Sequence, residues 1–160
     1  MAFNWFKKKK MQEYYPIKEV SIVEMRAAVR EFACNMREGI NLSVIINDDN
    51  SINIDYIKSY LKCIPTKSFY MSRETYEIFE EEEKEMAIYS DVIQAAVDLY
   101  IDSTGELPVI KDNPYQKISY KKLSEWLEDP PDIEFYMTDL ENLISHKKPD
   151  LSKKKHRRSI

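Results

Sequence analysis

"VSIVEMRAAVREFACNMREGINLSVIINDDNSINI", running from Val20 to Ile54, changes its hydrophobic period partway along and so decides the class of fold. In its first half Ile22, Met25, Val29, Phe32, Ala33 and Met36 recur at helical spacing. Ser21 and Glu24 have the spacing of a capping box, and Val20 is placed to staple onto Met25. Gly39 stands where a left-handed residue closes a helix. The spacing predicts a helix over 22–37. The second half is β-branched: "SVIIN" reads as a strand, "NDDN" as a turn whose side chains bond local backbone, and "SINI" as a returning strand.

The same mixture continues outward. Asp55 is placed to cap a short helix, "YIKSYLKC", halted by Pro65, and "KSFYM" reads as a further strand. Ser72 is an N-cap for a helix over "RETYEIFEEEEKE", with Tyr76 and Phe79 on its inner face. In "MAIYSDVIQAAVDLYIDSTG" a second helical run puts Met86, Tyr89, Ile93, Ala96, Val97 and Tyr100 on one side, and Gly105 and Pro108 end it. The pattern leaves open whether 72–103 is one helix or two. Ser119 caps a short helix over "YKKLSEWL" before Pro130 and Pro131, and "IEFYM", "TDLEN" and "LISH" read as an antiparallel hairpin.

Helices and strands alternate without a βαβ rhythm, which makes the expected fold α+β. It is a single small domain with a long N-terminal helix, antiparallel β-hairpins and central helices. The domain is expected over 11–149, between tails at 1–10 and 150–160. A chain of 160 residues with 43% apolar side chains is long enough to bury a core.

Composition excludes several chemistries. Gly39 and Gly105 are the only glycines, so neither a phosphate-cradling loop nor a dinucleotide fingerprint nor a Gly-x-Ser-x-Gly elbow can be built. Cys34 and Cys63 read as small buried hydrophobes rather than a disulfide framework. No apolar run reaches the ~18 residues of a membrane span. A secretory signal would place its positive residues before the apolar region, whereas here the aromatics come first. The expected compartment is the cytoplasm.

Charge is laid out unevenly. Residues 1–10 carry +4 and residues 147–160 carry +6, so a net charge of −4 leaves −14 on the body between them. In "MAFNWFKKKK", Phe3, Trp5 and Phe6 precede Lys7, Lys8, Lys9 and Lys10. Aromatic rings settle at the headgroup level of a bilayer, and each adjacent lysine adds ~1 kcal/mol against an anionic leaflet. Lys153, Lys154, Lys155, Arg157 and Arg158 form a basic tail that offers a second contact. A frayed, solubilising terminus is the ordinary alternative.

Other groupings weigh less. The run Glu80–Glu85 reads as a solvated helix face, because a calcium site needs oxygens from a folded loop. His146 and His156 have no zinc-ligand spacing. His146 beside Asp139 or Glu141 would make a general acid–base pair. Tyr115, Lys117, Tyr120, Lys121 and Lys122 interleave aromatics with lysines as a single-stranded nucleic-acid platform does, but a body at −14 repels polyanions. No catalytic residue, metal ligand or cofactor is assigned.

The stretch "YIDSTGELPVI…DNPYQKISYKKL…PPDIEFYMTD…LISHKKP" resembles an uncharacterised family of small proteins from Bacillus-type Firmicutes, a domain of unknown function. "NDDNSINIDYIKSYLKCIPTKSFYMSRETYEIF" is similar to that family's front half. The resemblance implies a Gram-positive cytoplasmic origin and transfers no functional residue. Some members of such families begin as lipoproteins, whereas the first cysteine here is Cys34. The leading expectation is a non-enzymatic interaction module, peripheral at the anionic inner membrane face. The alternatives are a nucleic-acid-associated protein acting through its basic tail, or an enzyme of unrecognised type.

Overall fold

A computed structural model of the chain describes residues 14–152. The chain enters through β1 (Ile17–Lys18) and turns into α1 (Ile22–Cys34). Ser21 Oγ accepts from the Glu24 amide at 3.1 Å and so satisfies one orphan donor of the first turn. Met25, Ala28 and Val29 are the buried stripe of this helix. It ends at Cys34, short of the expected residue 37, with Asn35 as its cap. Gly39 does take a left-handed φ of 84°, but in the following turn. The expected long N-terminal helix is therefore a 13-residue one. Cys34 lies exposed at its end, contrary to the expectation that both cysteines are buried, while Cys63 is buried.

The expected strand "SVIIN" is mostly a 3₁₀ turn, Leu42–Ile45. Asn41 explains this, because its Oδ1 accepts from the Ser43 amide and starts a helical turn. The hairpin shrinks to a single antiparallel bridge, Ile46 to Ile52, closed by the "NDDN" turn with Asn50 at φ 68°. α2 (Ile54–Leu61) is capped by Asn53 rather than Asp55, and stops at left-handed Lys62, before Pro65 is reached. β2 (Ile64–Pro65) then pairs with β1, and this pairing is parallel, not a hairpin.

β3 (Tyr70–Met71) and β4 (Ile78–Phe79) are antiparallel, with Tyr70 opposite Phe79 and Met71 opposite Ile78. No helix forms over the first part of "RETYEIFEEEEKE". Ser72 Oγ accepts from the Thr75 amide at 3.0 Å as an N-cap would. The same hydroxyl donates to Asp91 Oδ1, which also accepts from the Glu74 amide, and Tyr76 swings to φ 61° and sends the chain into β4. Helix begins only after a 3₁₀ turn at Glu81–Glu83. α3 (Lys84–Thr104) then runs unbroken for 21 residues and closes at left-handed Gly105, so the central helix is the long one.

Beyond α3 the chain is irregular. Ser119 Oγ accepts from the Lys122 amide, yet "YKKLSEW" continues as successive turns and not as the expected helix. β5 (Tyr136–Met137) and β6 (Ile144–Ser145) form the expected antiparallel hairpin.

Two apolar clusters result. One gathers Met25, Ala28, Val29, Ile45, Ile52, Ile57, Phe69, Met71 and Ile78 between α1, α2 and the first strands. Phe32 closes its edge against Tyr56 and Tyr60, edge-on at 6.0 Å to each ring. The other packs Ile118, Leu123, Leu127, Phe135, Met137 and Ile144 onto Ile93, Ala96 and Val97 of α3. The described residues form a small mixed α+β domain whose named elements are three α-helices and three two-stranded pairings. Among the described residues no helix is long and apolar enough to cross a membrane.

Candidate functional site

The residues expected to touch a membrane, Phe3, Trp5, Phe6 and Lys7–Lys10, lie outside the described residues, as do Lys153, Lys154, Lys155, Arg157 and Arg158. What the structure adds is the surface next to the first group. Tyr14 is 94% exposed and Ile17 71%, so apolar groups stand in solvent where the chain joins the domain.

The residues of the "NPYQKISYKKL" platform are largely committed elsewhere. The Tyr120 hydroxyl donates to the Ile133 carbonyl, and burial pushes this phenol up to about 12. Lys148 covers the Tyr115 ring at 4.1 Å. Lys117 pairs with Glu134 at 2.9 Å, and Lys122 donates to the Val109 carbonyl. Glu134 also accepts from the Tyr136 hydroxyl, and these two donors hold its carboxyl below the usual range. Faces that a base would need for stacking are thus partly covered by the protein's own side chains.

Two concavities carry opposite charge. A groove of about 540 Å³ lies between the start of α1 and the loop after β2, lined by Glu19, Glu24, Glu80, Glu81 and Glu82. Lys67 answers one of these through a 2.9 Å pair with Glu82. Part of the "EEEEKE" run is therefore groove wall rather than one face of a regular helix. A cleft of about 410 Å³ lies between α1 and β4. Its floor is apolar, with Val29, Ala33, Leu42, Met71 and Ile78, while Arg26, Arg30 and Lys147 supply cationic groups. Arg26 and Arg30 are one helical turn apart and so share a face of α1.

His146 stands behind this cleft. Its ring packs against Phe79 at 5.5 Å and Phe135 at 6.4 Å between centroids. The carboxylate it meets is Glu77, not the expected Asp139 or Glu141. His146 Nδ1 is 3.8 Å from Glu77 Oε1, and Lys147 Nζ is 3.7 Å from the same oxygen. Both distances exceed a hydrogen bond, and Nδ1 is shielded from solvent with no hydrogen-bond partner. No serine, threonine or cysteine lines the cleft, and the hydroxyl that does, on Tyr76, donates to Asn41 Oδ1. The cleft thus sets Arg26, Arg30 and Lys147 with the Glu77 carboxylate over apolar side chains. Among the described residues no group of three or more His, Cys, Asp or Glu side chains could hold a metal ion.

Two further polar residues escaped the sequence reading. Asp91 on α3 accepts from Asn50 at 2.7 Å, from Ser72 at 2.6 Å and from the Glu74 amide at 3.1 Å. It thereby ties two loops of the first cluster to the helix that carries the second. Gln94, one turn on, accepts from the buried Ile144 amide and donates to the Asn142 carbonyl, which clamps the β5–β6 hairpin to α3. The available sequence signal was only their position among apolar neighbours on the inner side of a helix. Polar groups buried at such places need partners.

No curated protein and no solved structure matches the chain. A family model described as "Protein of unknown function (DUF3939)" matches residues 15–146. That span runs from just before β1 through His146 and takes in both apolar clusters, the cleft and the two polar ties, and on that coverage the chain belongs to the DUF3939 family.

Proposed function

We propose that this protein is a non-enzymatic interaction module that rests on an anionic membrane surface. Phe3, Trp5 and Phe6 would enter the headgroup region, and Lys7–Lys10 would supply the electrostatic attraction. Lys153, Lys154, Lys155, Arg157 and Arg158 would make a second, weaker contact, gaining from the first by effective concentration. The supporting observation is the exposure of Tyr14 and Ile17, which continues the apolar character of the opening segment to the edge of the domain. A body of strongly acidic charge, repelled by the same leaflet, would be held off the surface while its ends adhere.

Co-sedimentation tests this reading. Vesicles containing a third anionic lipid should retain the full chain at low salt and release it at high salt. A variant lacking residues 1–10 should stay in the supernatant, and neutral vesicles should retain neither. Equal sedimentation of the two proteins on anionic vesicles defeats the proposal.

A further inference from the structure

The groove between the start of α1 and the loop after β2 gathers more negative charge than the domain answers. Glu19, Glu24, Glu80, Glu81 and Glu82 line it, all exposed, with Val20 and Phe69 beside them. Among the described residues only Lys67 forms an ion pair with any of the five, and it engages Glu82. That pair shows what the groove favours: contact with Glu82 holds the Lys67 ammonium above its ordinary range, and Lys67 in turn holds the Glu82 carboxyl below its own. The other four carboxylates have no cationic side chain against them among the described residues.

The parallel pair β1–β2 aims both of its strands at this groove. Glu19, Val20 and Ser21 follow β1 directly, and Thr66 to Phe69 follow β2. Tyr14, before the other end of β1, is five residues from Glu19 and so at most about 18 Å from it. Lys10 precedes Tyr14 by four residues and Lys7 by seven, a reach of up to about 14–25 Å. A chain doubling back along β1 brings these lysines to the glutamates and passes exposed Ile17 on the way. The C-terminal cations set out from elsewhere. Lys148 lies over the Tyr115 ring, on the segment that builds the second cluster, whereas Val20 and Phe69 pack in the first.

We infer that Lys7–Lys10 dock among the glutamates of this groove, so that an anionic membrane must compete for them. The docking stands on the groove and the tether, while the competition rests on the proposed membrane contact. Residues 1–10 carry four lysines and no acid, which complements the unanswered carboxylates. Exposed lysine–carboxylate contacts are individually weak. The short tether compensates, because it sets an effective concentration in the millimolar range. A membrane that takes only the undocked form binds with an affinity lowered by the fraction that is docked.

Carbodiimide coupling of the full chain tests the docking without any lipid, since the reagent joins amines to carboxylates that touch. Chymotryptic peptide mapping at low salt should find Lys7–Lys10 joined to Glu19, Glu24, Glu80 or Glu81, and high salt should abolish these links. No such link, or the same glutamates joined to Lys153, Lys154 or Lys155, overturns the docking. Vesicle binding then tests the competition. Glu80→Gln with Glu81→Gln should bind vesicles of anionic lipid at least about threefold more tightly than the parent. Glu125→Gln with Glu128→Gln, which removes the same charge from exposed positions outside the groove, should gain less. Equal gains in the two double variants overturn the competition. Links to the groove without vesicle binding by any version would remove the membrane proposal and leave the docking standing.

Discussion

The two apolar clusters are built by different means. Around α1 and α2 the core is assembled from regular helices with local caps at Ser21 and Asn53, and its side chains arrive at helical intervals. Against α3 the core is closed by chain that is neither helix nor extended sheet. Ile118, Leu123 and Leu127 are presented by turns and isolated bridges, and the segment is pinned by side chains that bond backbone. Gln94 holds the Ile144 amide, Thr138 the Leu143 carbonyl and Tyr120 the Ile133 carbonyl. The first cluster is thus specified by periodicity and the second by particular polar contacts. That difference predicts where each will give way.

The largest effects should come from emptying the cores. Phe135→Ala should cost roughly 3–5 kcal/mol and Met25→Ala roughly 2–5 kcal/mol, both side chains being fully buried. In a Trp5→Phe background, urea unfolding followed by tryptophan fluorescence reports on the second cluster through Trp126, and circular dichroism reports on the helices. Coincident midpoints for both variants would mean the two clusters unfold together. Separated midpoints would show the turn-built cluster melting by itself.

Asp91 is what should keep them together. It belongs to α3, yet its partners Asn50, Ser72 and Glu74 belong to the loops of the helical cluster. Asp91→Ala strands the buried Ser72 hydroxyl without an acceptor, leaves Asn50 with the Met71 carbonyl alone, and should cost about 3 kcal/mol. It should also separate the two midpoints if they coincide in the parent protein. Retained coincidence would assign the coupling to apolar packing, such as the contact of Phe79 with His146.

The smallest effect is a pH dependence confined to the turn-built half. Burial raises the Tyr120 phenol from its ordinary 10.0 to about 12. Its folded value lies above its unfolded one, so the stability it contributes is fully present below pH 10 and is lost as pH climbs through about 12. Tyr120→Phe should flatten the fall of stability over that window in denaturant titrations. An unchanged slope would show that the hydroxyl of Tyr120 is not what holds this segment at high pH.

How far the sequence could be read follows the same division. The cap at Ser21, the stop at Gly105, the turn after Ile46 and the 136–145 hairpin were legible, because each is signalled within a few residues of itself. The helix expected over 73–85 failed in its first part because Ser72 carries a cap signal but spends its hydroxyl on Asp91, far along the chain. The helix over 120–127 gave way to successive turns, in which the Tyr120 hydroxyl and the Lys122 amine are spent on the distant Ile133 and Val109 carbonyls. The site was less legible than the fold. Glu77 meets His146 across distant strands, and the residues expected to make contact with partners fall outside those the structure describes.

One feature of the backbone bears on how this molecule could be hardened. With glycine at only two positions, the described residues turn seven left-handed corners on other side chains: Asn50, Lys62, Tyr76, Asp112, Gln116, Glu141 and Asn142. Asparagine and aspartate tolerate that geometry, but lysine, glutamine and tyrosine resist it. Lys62 and Gln116 therefore hold latent thermal tolerance, which a residue lacking a β-carbon would release without disturbing either apolar cluster.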